Sequence, residues 1–214
     1  MPELRKDPVT GTWVIIAIER GKRPSDFQSP KEEETGSFCP FCYGNEHITP
    51  PEISAYRDPA TAPDTPGWQV RVVPNKFPAL AIEGDLGKRA DGIYDRMNGV
   101  GAHEVIIETP DHSKSLGDLE LPQVRKVVQM YKERVADLGK DHRLRYSLVF
   151  KNWGQTAGAS LSHTHSQIIA TPVVPILVNE EIAGAARYRG FRERCVFCDI
   201  LDQDLADGSR IVFE

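Results

Sequence analysis

The stretch Gly158-Ala159-Ser160-Leu161-Ser162-His163-Thr164-His165-Ser166-Gln167, running into Ile168-Ile169-Ala170, constrains this chain more than any other. Read as a strand, it alternates its side chains, so His163, His165 and Gln167 share one face while Thr164 and Ser166 share the other. Two imidazoles and an amide then meet in one small volume. One imidazole can be held by a metal, the other can act as a nucleophile, and the amide can hydrogen-bond an oxygen on which charge develops. Such a set suits attack on phosphorus. Paired histidines on a strand can also be no more than half-buried residues with satisfied hydrogen bonds, and the surroundings argue for the chemical reading. Arg145-Tyr146-Ser147-Leu148-Val149-Phe150 predicts a second strand. The connection from Asn152 to Ser160 is mostly small residues, which let backbone approach a phosphate closely.

Composition narrows the partners. With 214 residues, 40% of them hydrophobic, the chain can bury a core, and its net charge of -5 gives no general attraction to nucleic acid or to an anionic membrane. An anionic ligand must be held by local groups, so a small nucleotide fits better than a polymer. No apolar run approaches the roughly 20 residues that span a bilayer, and the opening residues lack the apolar core of a secretion signal. These features predict a cytoplasmic protein.

The four cysteines fall as Cys39-Pro40-Phe41-Cys42 and Cys195-Val196-Phe197-Cys198. Without a secretion signal, such pairs point to a metal or to redox chemistry rather than to disulfides. A redox pair would open a helix after a strand, whereas Cys39 follows a polar run, so a zinc knuckle is the better reading. Spacing leaves two completions open: one ion held by all four cysteines, or each pair with its own ion and histidine partners.

Alternation predicts strands at 13–16, 68–73, 103–108, 145–151 and 163–170. A helix is expected from Pro122 to Leu138, with Val124, Val127, Val128, Tyr131, Val135 and Leu138 on its packed face and Gly139 after its end. Residues 25–65 read as mostly loop, 83–101 as irregular, and Arg20-Gly21-Lys22-Arg23-Pro24 as a basic cluster that either solvates a loop or binds a diphosphate. Grouped strands around a crossover helix argue for an α+β fold with an antiparallel sheet. Beyond Pro175, a short helix over 176–194, the second cysteine pair and a strand over 209–214 look like the start of another copy of the first unit. The expected division is therefore 1–175 and 176–214, the latter the beginning of an incomplete repeat in a longer polypeptide.

Taken together, these residues resemble the galactose-1-phosphate uridylyltransferase family of the histidine triad superfamily. The likeness rests on Asp7-Pro8-Val9-Thr10-Gly11-Thr12-Trp13-Val14, the Arg20 to Pro24 cluster, the Cys39 knuckle, Phe77-Pro78-Ala79-Leu80, Pro110-Asp111-His112-Ser113-Lys114 and the stretch from Gly158 to Gln167. It implies a histidine-triad-like fold with the start of a second such repeat, and transfer of a nucleoside monophosphate between a nucleotide sugar and a sugar 1-phosphate by double displacement. His165 matches the family nucleophile and Gln167 the amide that holds a phosphate oxygen. Cys39, Cys42, His112 and His163 match the structural zinc set, while Cys195 and Cys198 look like half of a second metal site. Arg20, Arg23, Asn75, Asn152, Gly158 and Ser160 match positions around the nucleotide. The family also implies a homodimer.

The resemblance ranks UDP-glucose with galactose 1-phosphate first. Two residues depart from the family pattern, Thr164 where many uridylyltransferases have proline and Lys76 after Asn75 where uridine-selecting members often carry an acidic residue. The stretch Gly158 to Gln167 also resembles a branch that adenylylates phosphate, which makes an ADP-sugar phosphorylase the alternative. Gln167 cannot act as a general acid, which disfavours a hydrolase. A zinc-stabilised nucleotide-binding module without chemistry is the reading from a different class. His103 stays unassigned, because a lone histidine on a strand is more often structural, and His47 and His142 read as surface residues.

Overall fold

Alternating apolar residues in the middle of the chain build one antiparallel sheet whose two faces have different tasks. The computed structural model describes residues 2–18, 38–159 and 161–213. They divide into two compact units, with the boundary between Val173 and Val174.

In the first unit, β1 (Glu3–Lys6), β2 (Trp13–Ile16), β5 (Arg89–Asp91) and β6 (Tyr94–Asn98) form a sheet in the order β2-β1-β6-β5. Strands β3 (Ser54–Arg57), β4 (Trp68–Pro74), β7 (Ala102–Ile107), β8 (Tyr146–Phe150) and β9 (His165–Thr171) form a second, ordered β3-β4-β7-β9-β8 and antiparallel throughout. The smaller sheet closes on Leu4, Leu80 and Met97. The α+β class and the antiparallel sheet with a packed helix are as expected.

Helix α1 (Leu121–Leu138) crosses one face of the larger sheet. Val127 and Met130 are fully buried there with Val70, Val72, Ile106, Ile168 and Ala170. The packed row is Val127, Met130, Arg134 and Leu138, whereas Val128 and Val135, expected on that face, are exposed. A charge can occupy this row because Arg134 grips buried Glu104 of β7 with two hydrogen bonds, Nε to Oε2 and Nη2 to Oε1, both 2.8 Å. An Arg fork on a carboxylate satisfies both charges in a way no apolar count reveals.

Two further expectations are corrected. Residues 83–101 contain the β5–β6 hairpin, turned by Gly92 (φ +61°) as the first of two loop residues, a position that requires glycine's positive φ. Within 25–65, Ser54–Arg57 is a strand, paired with β4. The register of that pair slips between Tyr56 and Arg57, leaving Gln69 as an extra residue on β4. The bulge turns Trp68 to the face opposite α1, where it is fully buried and donates from Nε1 to Glu46 at 2.9 Å.

The second unit holds α2 (Ile176–Arg192) and α3 (Val196–Asp207), tied by Tyr188 Oη donating to Asp199 at 2.7 Å. The strand expected over 209–214 is not formed among the described residues, which end in turns with Val212 and Phe213 exposed. A strand exists through pairing, and no neighbouring strand is described in this unit.

Candidate active site and metal centre

Three separate parts of the sequence reach the face of the sheet opposite α1. The knuckle Cys39–Cys42 is anchored from below by Trp68 to Glu46 and by buried Arg71, whose Nη2 donates to the Glu46 carbonyl at 3.4 Å and to Asp64 at 2.6 Å. His112 comes from the loop between β7 and α1, and His163 from the entry to β9. One ligand atom from each of Cys39, Cys42, His112 and His163 lies within 4.8 Å of every other.

The donor set fits a tetrahedral ion. His163 Nδ1 is 3.6 Å from both Cys39 Sγ and Cys42 Sγ, and His112 Nδ1 is 3.4 Å from Cys42 Sγ. A tetrahedral centre with ordinary zinc–sulfur and zinc–nitrogen bonds spaces its S and N ligands about 3.5 Å apart. The far nitrogens set the tautomers. His163 Nε2–H donates to the Thr109 carbonyl at 2.7 Å, so its Nδ1 turns a lone pair to the thiols, and His112 Nε2 lies 3.1 Å from Ser162 Oγ, a hydroxyl able to accept its proton when Nδ1 holds a metal. Burial lowers the pKa of His163 and keeps it neutral, as a ligand must be. Burial pushes the Cys42 thiol up to about 11, so ionising that thiol calls for a cation beside it.

The candidate metal group and His165 share a wall. Phe41, inside the knuckle, sets its ring edge-on against His165, with centroids 5.3 Å apart, and against His163 at 6.1 Å. His165 itself is buried, and its Nδ1–H donates to the His163 carbonyl at 2.8 Å. That bond assigns the proton to Nδ1 and the lone pair to Nε2. Gln167, two residues along the same face, receives at Oε1 the Nε2–H of His103 at 2.9 Å and the Nδ2 of Asn75 at 3.2 Å.

The opposite face of β9 is polar too, and closed. Thr164 and Ser166 both donate to the fully buried Glu108 carboxylate, which Lys151 Nζ meets at 2.7 Å and Tyr131 Oη at 3.1 Å. Lys151 spends its remaining donors on Thr164 Oγ1 at 2.8 Å and the His165 carbonyl at 3.0 Å. Burial alone would raise the Glu108 pKa, but hydrogen bonds from Lys151, Ser166 and Thr164 outweigh it and hold the carboxyl below its usual range. The backbone of the histidine strand is thus held from behind at the residue that carries His165.

The other expected site residues fall as follows. Asn75 touches Gln167 directly. Asn152 and Gly158 lie in the loop after β8, which Ala159 N–H closes onto the Gly154 carbonyl at 3.1 Å; Gly154 and Gly158 both have positive φ, +74° and +78°. Arg20, Arg23 and Ser160 lie outside the described residues. Cys195 and Cys198 are exposed at the start of α3, and among the described residues no third metal-ligand side chain joins them. The sequence assigns no site role to His103, Phe41, Glu108 or Lys151. A polar residue in the inward, otherwise apolar row of β7 was the available signal for His103, which is buried and belongs to the site rather than only to the strand.

Among known proteins, the chain is 38% identical over 203 residues to the ADP-glucose phosphorylase of Arabidopsis thaliana, covering 92% of this chain and 56% of that protein. It is 29% identical over 205 residues to the galactose-1-phosphate uridylyltransferase of Thermotoga maritima, covering 95% and 57%. A solved uridylyltransferase superposes with a TM-score of 0.70 at 30% identity, covering 94% of this chain and 55% of that one. The chain therefore spans a little over half the length of the curated relatives it matches. Residues 1–175 match the family model described as galactose-1-phosphate uridyl transferase, N-terminal domain, and the chain belongs to that family.

Proposed function

We propose that this protein transfers a nucleoside monophosphate between a nucleotide sugar and a phosphate acceptor through a covalent nucleotidyl-His165. The observation that carries the reading is the hydrogen bond from His165 Nδ1–H to the carbonyl of His163, a residue of the metal cluster. It leaves Nε2 as the nucleophilic nitrogen on a ring whose orientation the cluster and Phe41 fix. His165 Nε2 forms a bond to the α-phosphorus as the bond from that phosphorus to the sugar phosphate breaks, the electron pair leaving on the sugar phosphate oxygen. A phosphate oxygen of the acceptor then bonds the same phosphorus, and the N–P electrons return to the imidazole. Neither step needs a proton donor for the leaving phosphate, which matches an amide at Gln167 in place of an acid. The amide N–H groups meet the non-bridging oxygens, where charge gathers.

The cysteine–histidine donor set suits zinc, held by Cys39, Cys42, His112 and His163, as a structural ion that fixes the strand entry. Zinc would do no chemistry itself. Residues 176–214 we read as the beginning of a second repeat, and a homodimer is the assembly the family suggests.

Two donors have support. The sequence reading ranks UDP-glucose with galactose 1-phosphate first, and the match to the uridyl transferase family agrees with it. The higher identity, 38% against 29%, favours an ADP-sugar with phosphate as acceptor, and Thr164, held by Glu108 and Lys151, distinguishes this strand from one with proline there. Intact mass under acid-free conditions, after brief incubation of the metal-loaded protein with each donor, decides both points. A gain of AMP or of UMP that vanishes in His165→Asn supports the covalent reading and names the base. Binding of donor without any adduct would sink it and leave the zinc-stabilised binding module.

A further inference from the structure

The amide of Gln167 can face the phosphate with either its oxygen or its nitrogen, and only the nitrogen stabilises a negatively charged oxygen. Two backbone N–H groups decide which. Phe77 N–H donates to Asn75 Oδ1 at 2.9 Å, so Asn75 must present its Nδ2. Ala79 N–H donates to His103 Nδ1 at 3.1 Å, so the neutral imidazole must carry its proton on Nε2. A backbone N–H cannot be turned into an acceptor, and Pro78 between the two donors has no N–H at all. The two donors so defined approach within 3.2 Å of each other and converge on a single atom, Gln167 Oε1, at 3.2 Å from Asn75 and 2.9 Å from His103. Flipping the amide would set its NH2 against two N–H donors with no acceptor between them.

We propose that His103 and Asn75 form a polarity relay that reads the backbone of Phe77 and Ala79 and thereby fixes the Gln167 amide nitrogen toward the reacting phosphate. His103 and Asn75 are then positioning residues, acting through Gln167. The inference rests on the nucleotidyl-transfer reading for its substrate, and on the hydrogen-bond pattern alone for its polarity. It assigns the segment Asn75-Lys76-Phe77-Pro78-Ala79 a task besides lining a nucleotide: its alternate N–H groups set the sign of the site. Geometry favours such an arrangement because His103 pairs with Ile169 across the ladder, which puts it diagonal to Gln167, within reach of a long side chain on the same face.

Two readouts test it. Nitrogen-15 NMR of the His103 imidazole in the metal-loaded protein should report Nε2 protonated and Nδ1 as an unprotonated acceptor; an Nδ1–H tautomer or an imidazolium overturns the relay whatever the reaction is. The second readout is the rate of nucleotide adduct formation at His165 in a double-mutant cycle. Gln167→Ala should slow it about 10²- to 10³-fold, the scale of one lost oxyanion donor. His103→Phe should slow it about 10- to 100-fold in the parent, through a misaimed amide, with the KM for the nucleotide sugar little changed. In the Gln167→Ala background the same His103→Phe change should cost almost nothing, because the residue it acts through is gone. His103→Gln, which can accept from Ala79 and donate to Gln167, should recover most of the rate. Equal losses from His103→Phe in both backgrounds would show a merely structural histidine and overturn the proposal. If His103→Phe does not fold, Asn75→Ala takes its place in the cycle. Absence of any adduct on the parent would remove the proposed reaction, and the tautomer would still decide the relay.

Discussion

The chain carries nearly the same four letters twice, Cys-Pro-Phe-Cys at 39–42 and Cys-Val-Phe-Cys at 195–198, and the two copies have opposite fates. In the first, Cys39 and Phe41 are buried, two distant histidines close on the thiols, and the phenylalanine becomes a wall of the site. In the second, both cysteines are exposed, Phe197 is 55% exposed, and the segment opens α3. The difference lies in what the surrounding fold delivers. At the first knuckle a bulge in β4 turns Trp68 toward Glu46, Arg71 holds the following loop, and the loop after β7 and the entry to β9 bring His112 and His163. A two-cysteine knuckle supplies half a tetrahedron, and long-range packing supplies the rest.

The sharpest way to break the comparison is at the metal. Cys39→Ser should lose the ion and lower the unfolding transition more than any other single change in this molecule's two knuckles, since apparent binding of structural zinc in small peptides is on the order of 10 kcal/mol and is folding free energy. Metal analysis with thermal unfolding of the parent, Cys39→Ser and Cys195→Ser checks this. Metal retained by Cys39→Ser but lost by Cys195→Ser would reverse the assignment. The next largest contrast is between the two phenylalanines. Phe41→Ala should cost about 3–5 kcal/mol by removing a buried ring from among Cys39, Trp68 and Val105. Phe197→Ala should stay within about 0.5 kcal/mol, as exposed positions do. Similar denaturant midpoints for the two variants would mean that Phe197 is covered.

A smaller effect probes how the first knuckle is completed. Ser162 Oγ lies 3.1 Å from His112 Nε2 and can accept its proton once a metal sits on Nδ1, so Ser162→Ala should leave the fold intact and weaken metal affinity about 10- to 100-fold, the usual range for an outer-shell partner of a ligating histidine. Competition with a chelator of known affinity measures it. Unchanged affinity would mean that the exposed His112 finds its orientation without that hydroxyl.

The same contrast explains what could be read from the letters. Strands β4, β7 and β9 and helix α1 are legible because each buries an alternating or helical row of apolar residues, whereas β8 shows through its β-branched and aromatic residues with only Val149 packed on the core. The β5–β6 hairpin is not legible, because Arg89, Ala90 and Asp91 are exposed and carry no apolar rhythm; only Gly92 marks the turn. At the site, His163, His165 and Gln167 follow from a period of two. Phe41 and His103 do not, since one is hidden inside a metal motif and the other looks like any strand histidine until its two nitrogens are traced to Ala79 and Gln167. The packed row of α1 differs from its apolar pattern for a related reason: Arg134 belongs to it only because Glu104 waits on β7.

The smallest effect concerns the second knuckle itself. Replacing both Cys195 and Cys198 by serine should leave metal content and stability unchanged, which separates a spare motif from a site. Their chemistry should nevertheless differ from that of the first pair. The backbone N–H groups of Cys198 and Phe197, aided by the Cys198 thiol, lower the pKa of Cys195, because a helix start favours the thiolate. The sign is definite: a lowered thiol pKa raises the thiolate fraction near neutral pH, so Cys195 should react with a disulfide reagent at lower pH than an ordinary thiol. Cys198 shifts the opposite way, raised first by its neighbour Cys195, so the second equivalent should appear at higher pH. Cys39 and Cys42 should join only after chelation. Four equivalents reacting at one rate before chelation would mean that the buried pair is as open as the exposed one, and would remove the contrast between the two knuckles at its root.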